Sequence, residues 1–431
     1  MGVLAGRALL AIGTLGMQQL QSAFGVFALL AIAWAISEDR RAVSLRQATI
    51  GLSVTVACAV LFLKVPGSTA AFSGINHAVD AIADATKAGT AFVFGYVGGA
   101  PPPFEVKVPG ADFSLAFQAL PLVLVMSVLT SLLFHWRILP PIVRSLSWVL
   151  ERTLGVGGAV GLSAAANIFL GMIEAPLFIR PYLIALTRAE LFIVMSAGMA
   201  CIAGTVLVIY ATVLARIIPD APAHLVVASV LDAPAAILIA MIMVPDPAGK
   251  RTGAAQIEGR KAISMMDAIV QGAMTGLELL LNICVMLIVL VALVHLANSI
   301  LGLLPDVGGA PISLQRGLGL LMAPICWLMG IPWQDAVTAG SLMGVKTVLN
   351  EFIAYVELAK LPPEALDPRS RLIMLYAMCG FANFGSLGIM IGGLGTMAPE
   401  RRADVTALGL KAIVAGTLST CLIGSIVGVL N

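Results

Sequence analysis

Residues 155–186 read GVGGAVGLSAAANIFLGMIEAPLFIRPYLIAL. The run is apolar, but Gly171, Glu174, Pro176, Arg180 and Pro181 interrupt it. Proline removes a helical hydrogen bond and glycine weakens a helix, so one straight membrane helix does not fit. Two half-length pieces around a turn do fit, which is a re-entrant hairpin. Irregular backbone at membrane depth is tolerated only inside protein or along a wet cavity. Residues 313–358 have the same character, interrupted by Pro324, Gly330, Pro332, Asp335, Lys346, Asn350 and Glu351, and read as a second hairpin.

Around these two regions lie unbroken apolar runs at 16–36, 47–64, 114–135, 190–215, 222–244, 276–303, 370–396 and 405–430. Each is near the roughly 20 residues that a membrane helix needs. The whole chain, 431 residues, is 59% hydrophobic and 11% charged, against about a quarter charged in soluble domains. The expected fold is an all-α polytopic membrane protein with eight transmembrane helices and two re-entrant hairpins. No cleavable leader is evident, so the first run is read as a retained span. A net charge of +2 gives no basic field for nucleic acid. The six cysteines, at no metal or disulfide spacing, read as packing residues. No nucleophile triad, P-loop, zinc set or cofactor motif appears, so neither an enzyme nor an ATP-driven pump is expected.

Basic residues orient the chain, because Lys and Arg gather in cytoplasmic loops. Arg40, Arg41 and Arg46, then Arg137, Arg144 and Arg152, then Arg180 and Arg188, then Lys250, Arg251, Arg260 and Lys261, and finally Arg401 and Arg402 all fall inside under one arrangement. Both termini are then outside, and each hairpin returns to the side it entered. Arg216, Lys360, Arg369 and Arg371 fall outside, against the rule. The order of elements repeats with opposite orientation. Residues 114–244 form a first inverted repeat with its hairpin at about 155–186, and 276–431 a second with its hairpin at about 313–358. Residues 1–113 form N-terminal scaffold helices and an amphipathic interfacial helix at 75–94, and 245–275 a cytoplasmic loop with an amphipathic segment at 258–273. Interrupted helices at matching places of inverted repeats point to a transporter's binding site.

Charged groups inside a bilayer are costly and usually functional. Glu174 and Glu351 each sit in the break of one hairpin. Their carboxylates suit a polyhydroxylated ligand and the field of a coupling cation. The structural alternative pairs them with Arg180 and Lys346. In the seventh span Gly380, Asn383, Gly385 and Ser386 form a polar, small-residue patch, readable as a ligand site or as helix packing. Glu278, Asn282 and His295 in the sixth span are cavity candidates, His295 reading more readily as packing.

The strings Asn167-Ile-Phe-Leu-Gly171, Glu174-Ala-Pro-Leu177, Ile179-Arg-Pro-Tyr182, Gly344-Val-Lys346, Asn350-Glu-Phe-Ile-Ala-Tyr355 and Cys379-Gly-Phe-Ala-Asn-Phe-Gly-Ser386 resemble the hairpin and seventh-span signatures of concentrative nucleoside transporters. The resemblance spans nearly the whole chain. It implies cation-coupled import of a nucleoside across a bacterial inner membrane, by a homotrimer in lipid whose transport domain moves elevator-like against a scaffold. It places Met172, Ile173 and Glu174 on the base side with Val206 nearby, and Glu351, Asn383 and Ser386 on the ribose side with Phe381 close by. It implies a sodium site at Asn167, Leu170, Cys201 and Ile202, mostly of backbone carbonyls, and no cofactor. The coupling ion stays open between sodium and a proton, with Glu351 the group to carry a proton. The chain departs from the family at Gly171-Met172-Ile173-Glu174, where relatives carry Gly-Gln-Ser/Thr-Glu. Two hydrogen-bonding side chains have become apolar, so altered base selectivity is expected. The alternatives are a same-fold transporter of another polar, sugar-bearing metabolite, and a membrane protein that transports nothing.

Overall fold

The structure is a computed structural model that describes residues 2–65, 68–107, 112–218, 220–246, 251–253, 262–306, 309 and 311–431; for residues 2–15, 68–73, 286 and 290 it describes backbone alone. The helices are α1 (Gly2–Ala35), α2 (Leu45–Lys64), α3 (Ser68–Phe94), α4 (Leu122–His135), α5 (Leu139–Leu154), α6 (Gly158–Asn167), α7 (Glu174–Leu177), α8 (Arg188–Ala200), α9 (Gly204–Leu214), α10 (Ala221–Met243), α11 (Met265–Leu301), α12 (Leu314–Leu328), α13 (Trp333–Val348), α14 (Glu351–Lys360), α15 (Pro368–Met378), α16 (Phe384–Met397) and α17 (Arg402–Leu430). Among the described residues, seven helical stretches are long and apolar enough to cross a membrane. The remaining expected span, 370–396, is built from the short helices α15 and α16.

Two of the expected spans are therefore not straight rods. The fourth unwinds at residues 201–203 between α8 and α9, and the seventh at 379–383 between α15 and α16. The two breaks touch: a Cβ on Gly380 would stand 2.3 Å from the Ala200 carbonyl oxygen. The inverted repeat thus places an unwound strand of each half at one crossing point.

The second hairpin differs from its expected bounds of 313–358. Pro332 does break the helix there, and α12 and α13 meet at a bend of 119°. A further break at Leu349 and Asn350 separates α13 from α14. Asn350 has extended backbone, and its side chain caps α14 by accepting from the Ile353 amide at 2.9 Å. Glu351 thereby sits in the first turn of α14, where an acidic group suits the positive helix end. The first repeat carries a matching amphipathic helix, α5, which the sequence reading did not separate. Its buried residues, Leu139, Val143, Ser147, Leu150 and Leu154, recur at helical spacing.

The amphipathic segment expected at 75–94 forms most of the longer α3. The segment expected at 258–273 is corrected. Residues 258–261 lie outside the described residues, as do Lys250, Arg260 and Lys261, and from Met265 the chain runs without interruption into the 37-residue α11. Ser264 caps that helix through the Asp267 amide, so the amphipathic segment is its first turns.

The charged ends sort to opposite faces. On one, Glu38 receives Arg188 at 3.0 Å and also Lys411, and Arg401 donates to the carbonyls of Leu183, Ile184 and Leu186. On the other, Arg369 donates to Gly330, Gln18, Ser22 and Gly428, tying the middle of α1 to the end of α17. Arg371 is buried there and donates to Leu366 and Pro362 carbonyls. Two of the four arginine and lysine residues that broke the charge rule are thus consumed as backbone caps.

Candidate functional site

The centre is built from ends of helices. Glu351, 4% exposed, accepts from the Tyr210 hydroxyl at 2.6 Å through Oε1 and from Asn383 Nδ2 at 3.1 Å through Oε2. Tyr210 lies on α9 beyond the first break, Glu351 at the start of α14, and Asn383 at the end of the second break. Asn383 Oδ1 also accepts from the Ser386 amide at 2.7 Å, capping α16. One amide side chain thereby starts a helix and orients the carboxylate. Tyr210 is held by Tyr355 and Phe352, with ring centroids 5.3 and 6.1 Å away, and Tyr355 donates to the Leu375 carbonyl. Nothing in the sequence reading named Tyr210; the one signal was a phenol inside an apolar span.

Lys346 is fully buried but is not the partner of Glu351. Its ammonium donates to the Ala377 carbonyl and to Thr420 Oγ1, both at 3.1 Å. A cation at the C-terminal end of α15 compensates the negative end of that helix. Arg180 is exposed, and no ion pair joins it to Glu174 among the described residues. The paired-charge alternative for both glutamates is therefore not realised.

Glu174 stands at the tip of the first hairpin. Its carboxylate faces the backbone amides of Gly171 and Ile173 and its own. A Cβ at 171 would come 2.2 Å from Glu174 Oε2, so any larger residue there would displace the carboxylate from its present place. Glu278 on α11 lies within electrostatic reach of Glu174, although Glu278, Asn282 and His295 are exposed on that helix. The apolar replacements are packing residues: Met172, 7% exposed, sits against Gly198 with Met390, and Ile173 covers Gly393. Val206 is buried on α9. Phe381 is half-buried in the second break, and Ser386 is 7% exposed.

The expected sodium-site residues cluster around the first break. Asn167, buried at the end of α6, donates to the Gly171 carbonyl at 3.2 Å and accepts from the Gly198 amide at 3.3 Å with its amide turned to satisfy both. Ile168 and Cys201 pack together with Ala233 of α10. Leu170 and Ile202 are buried beside them in sequence. Oxygen-rich unwound backbone at a helix C-terminus is a setting in which transporters coordinate sodium, and the donor set here, one amide and backbone carbonyls, suits that ion.

The hairpin tip and the Glu351 centre are linked by α16. Asn383 caps its start, while Met390 and Gly393 contact the tip. At 1.5 Å per residue these contacts lie roughly 10–15 Å along the helix from Asn383.

Comparison with known proteins gives the same picture. The model of the "Na+ dependent nucleoside transporter C-terminus" matches residues 224–428, its N-terminal counterpart 24–97, and a "Nucleoside recognition" gate model 116–216. The chain is 36% identical to the uncharacterized transporter YutK of Bacillus subtilis, over 96% of this chain and 99% of that one. It is 34% identical to the nucleoside permease NupC of Helicobacter pylori, over 94% and 96%. Human solute carrier family 28 member 3 is 33% identical over 97% of this chain and 60% of its own length. Among solved structures, CNTnw in an inward-facing substrate-bound state is 37% identical, with a TM-score of 0.87 over 95% of this chain and 98% of that one. A doubly substituted, outward-facing form of it gives 0.88 at 36% identity, over 96% and 97%. With helix breaks, hairpins and central carboxylate in place, the chain belongs to the concentrative, Na+-dependent nucleoside transporter family.

Proposed function

We propose that this sodium-coupled nucleoside symporter holds its substrate along α16, ribose at one end and base at the other. The observation that carries this is the hydrogen-bond relay from Tyr210 through Glu351 to Asn383, which brings two helix starts and the middle of α9 around one buried carboxylate. An acceptor-only carboxylate and an amide suit vicinal hydroxyls. Ser386 and Phe381 border that end, and a ribose displaces or bridges the Tyr210 contact as it binds. The base reaches toward Glu174 at the tip of the first hairpin, with Val206 behind it. Met172 and Ile173 supply no hydrogen bonds to a base edge, so uridine is preferred less strongly than with Gln and Ser/Thr at these positions. Sodium binds near Asn167, Leu170, Cys201 and Ile202, on the far side of the hairpin tip from the base.

The moving part contains both hairpins and both broken spans. α4 and α11 pack along each other and form the frame against which it travels. α1 packs on α17 and α2 on α10, which supports grouping these two with the moving part and not with an N-terminal scaffold. Leu277, Leu281, Ile288 and Leu296 on α11 are uncovered and fit lipid or sister subunits of a homotrimer. The face carrying Arg188, Arg401 and Lys411 lies inside, which leaves both termini outside the inner membrane.

The test is uptake by purified protein in proteoliposomes. A panel of nucleosides is offered with an inward sodium gradient, an inward proton gradient, or neither. Accumulation with the sodium gradient, with the initial rate lowered about ten- to a hundred-fold in Glu351→Gln, is the expected result. Accumulation that survives without any cation gradient, or a substrate without a ribose, overturns the reading.

A further inference from the structure

The two breaks are related by the internal repeat, yet their charges are opposite. Each follows a helix C-terminus, where unpaired carbonyls and the helix dipole attract a cation. At the second break the protein supplies that cation itself: buried Lys346 bonds the Ala377 carbonyl and Thr420. At the first break the nearby charge has the wrong sign. Asp232, on α10, is fully buried, and neither carboxylate oxygen has a hydrogen-bond partner. Its neighbours fix its place. The Cys201 thiol, at the end of α8, lies 4.0 Å from the Ser229 carbonyl, one turn before Asp232. Ala233, the next residue, packs on Cys201 and on Ile168 of the first hairpin. The hydroxyls of Ser196 and Ser229 are also buried without partners.

We propose that Asp232 is the carboxylate that balances the coupling sodium ion at the first break. This rests on the sodium-coupled reading above. The residues expected to cage the ion, Asn167 and the carbonyls near Leu170, Cys201 and Ile202, are neutral and cancel none of its charge. A buried, unpaired carboxylate beside a helix C-terminus is costly on its own. A sodium ion between it and those carbonyls satisfies both, and does at the first break what Lys346 does at the second. Asp232 then couples the ion to the protein by charge as well as by coordination. With the ion gone, the lone carboxylate destabilises the break, which opposes a sodium-free, substrate-loaded state. Lys346 lies within electrostatic reach of Asp232 but makes no ion pair with it, because its ammonium is committed to Ala377 and Thr420, so both carboxylate oxygens stay without a donor.

The experiment reads sodium binding directly, without transport. Thermal unfolding of the purified protein in nanodiscs is followed as NaCl replaces choline chloride at constant ionic strength, and sodium affinity is measured by calorimetry. Asp232→Asn is expected to need about ten-fold more sodium for the same stabilisation, and Asp232→Glu to keep a sodium response. The double variant Asp232→Asn with Lys346→Gln separates the two roles open to Asp232. If Asp232 serves the ion, the double variant stays as insensitive to sodium as the single one. If Asp232 only offsets Lys346 at a distance, the double variant regains the wild-type response, and the proposal fails. A wild-type sodium response in Asp232→Asn also overturns it. Should Asp232→Asn not purify as a monodisperse protein, Asp232→Ser and the double variant are read by the same criteria. A wild-type protein that gains nothing from sodium over choline overturns the sodium reading itself, which is a different result from failure of the Asp232 assignment.

Discussion

Tyr210 and Glu351, 141 residues apart, share a 2.6 Å hydrogen bond in the buried centre of the molecule. The bond joins α9, the helix after the first break, to α14, the arm of the second hairpin that follows its break at Leu349 and Asn350. Hydrogen bonds to charged groups contribute about 1.5–3 kcal/mol, more than neutral ones. Tyr210→Phe leaves the Glu351 carboxylate less well oriented and is expected to raise the nucleoside KM with uptake retained. Glu351→Gln is expected to lower kcat/KM by about ten- to a hundred-fold, the range of a lost charge-assisted bond. Initial-rate uptake in proteoliposomes separates the two.

Asn383 has two jobs that substitution can separate. Asn383→Ala removes both the α16 cap and the donor to Glu351. Loss of the cap alone costs about 1 kcal/mol. Asn383→Ser restores a capping oxygen but not the reach to Glu351. The expected outcome is a recovered melting temperature with uptake still impaired, measured by thermal unfolding beside transport. Recovery of both by serine would assign Asn383 a structural role only.

The crossing of the two breaks depends on Gly380. A Cβ there meets the Ala200 carbonyl oxygen at 2.3 Å, and backbone cannot move aside as a flexible side chain can. Gly380→Ala is expected to destabilise the protein by about 1–3 kcal/mol, the usual cost of overpacking. Gly392→Ala, on the same span with open space around it, is the control and should leave the melting temperature unchanged.

Met172→Gln with Ile173→Thr tests the departure from the family. Each restored polar group recovers about 1–3 kcal/mol if it pairs with a base edge otherwise left unsatisfied. Uridine uptake relative to purine nucleosides is expected to rise. Because Met172 lies against Gly198 and Ile173 against Gly393, some loss of stability should accompany it. Unchanged selectivity in a competition assay would show that these side chains only pack.

Glu38 gives a pH dependence outside the membrane. Hydrogen bonds from Arg188, and from Lys411, hold its carboxyl down to about 2, below its ordinary value of 4.5. A lowered folded pKa means stabilisation that is full above pH 4.5 and disappears as pH falls toward 2. The melting-temperature gap between wild type and Glu38→Gln should therefore close across that window. Added salt should narrow it at neutral pH, because the cluster is partly solvated.

Much of this was legible in residue order. The apolar runs, the charge pattern and the broken stretches around Glu174 and Glu351 gave the spans, the hairpins and the inverted repeat, because a bilayer penalises any interruption that has no purpose. Interrupted backbone inside a span was harder to see. Cys201-Ile202-Ala203 is as apolar as the helices on either side, and its unwinding depends on the packing of Gly204 against the Phe169 carbonyl. In the second hairpin Pro332 marked one bend, and the polar pair Asn350-Glu351, without a proline or glycine, marked the break at Leu349 and Asn350.

The chain alone determined that this is a membrane protein of repeated, broken halves with a carboxylate in each hairpin, since hydropathy and charge act locally and are written in consecutive residues. Only the folded molecule decided who meets whom. Tyr210 became a partner of Glu351, Lys346 turned from Glu351 to a helix end, and Asp232 was left unpaired beside the first break. Those outcomes depend on how helices far apart in sequence pack and cross, and no spacing along one helix encodes the geometry between two.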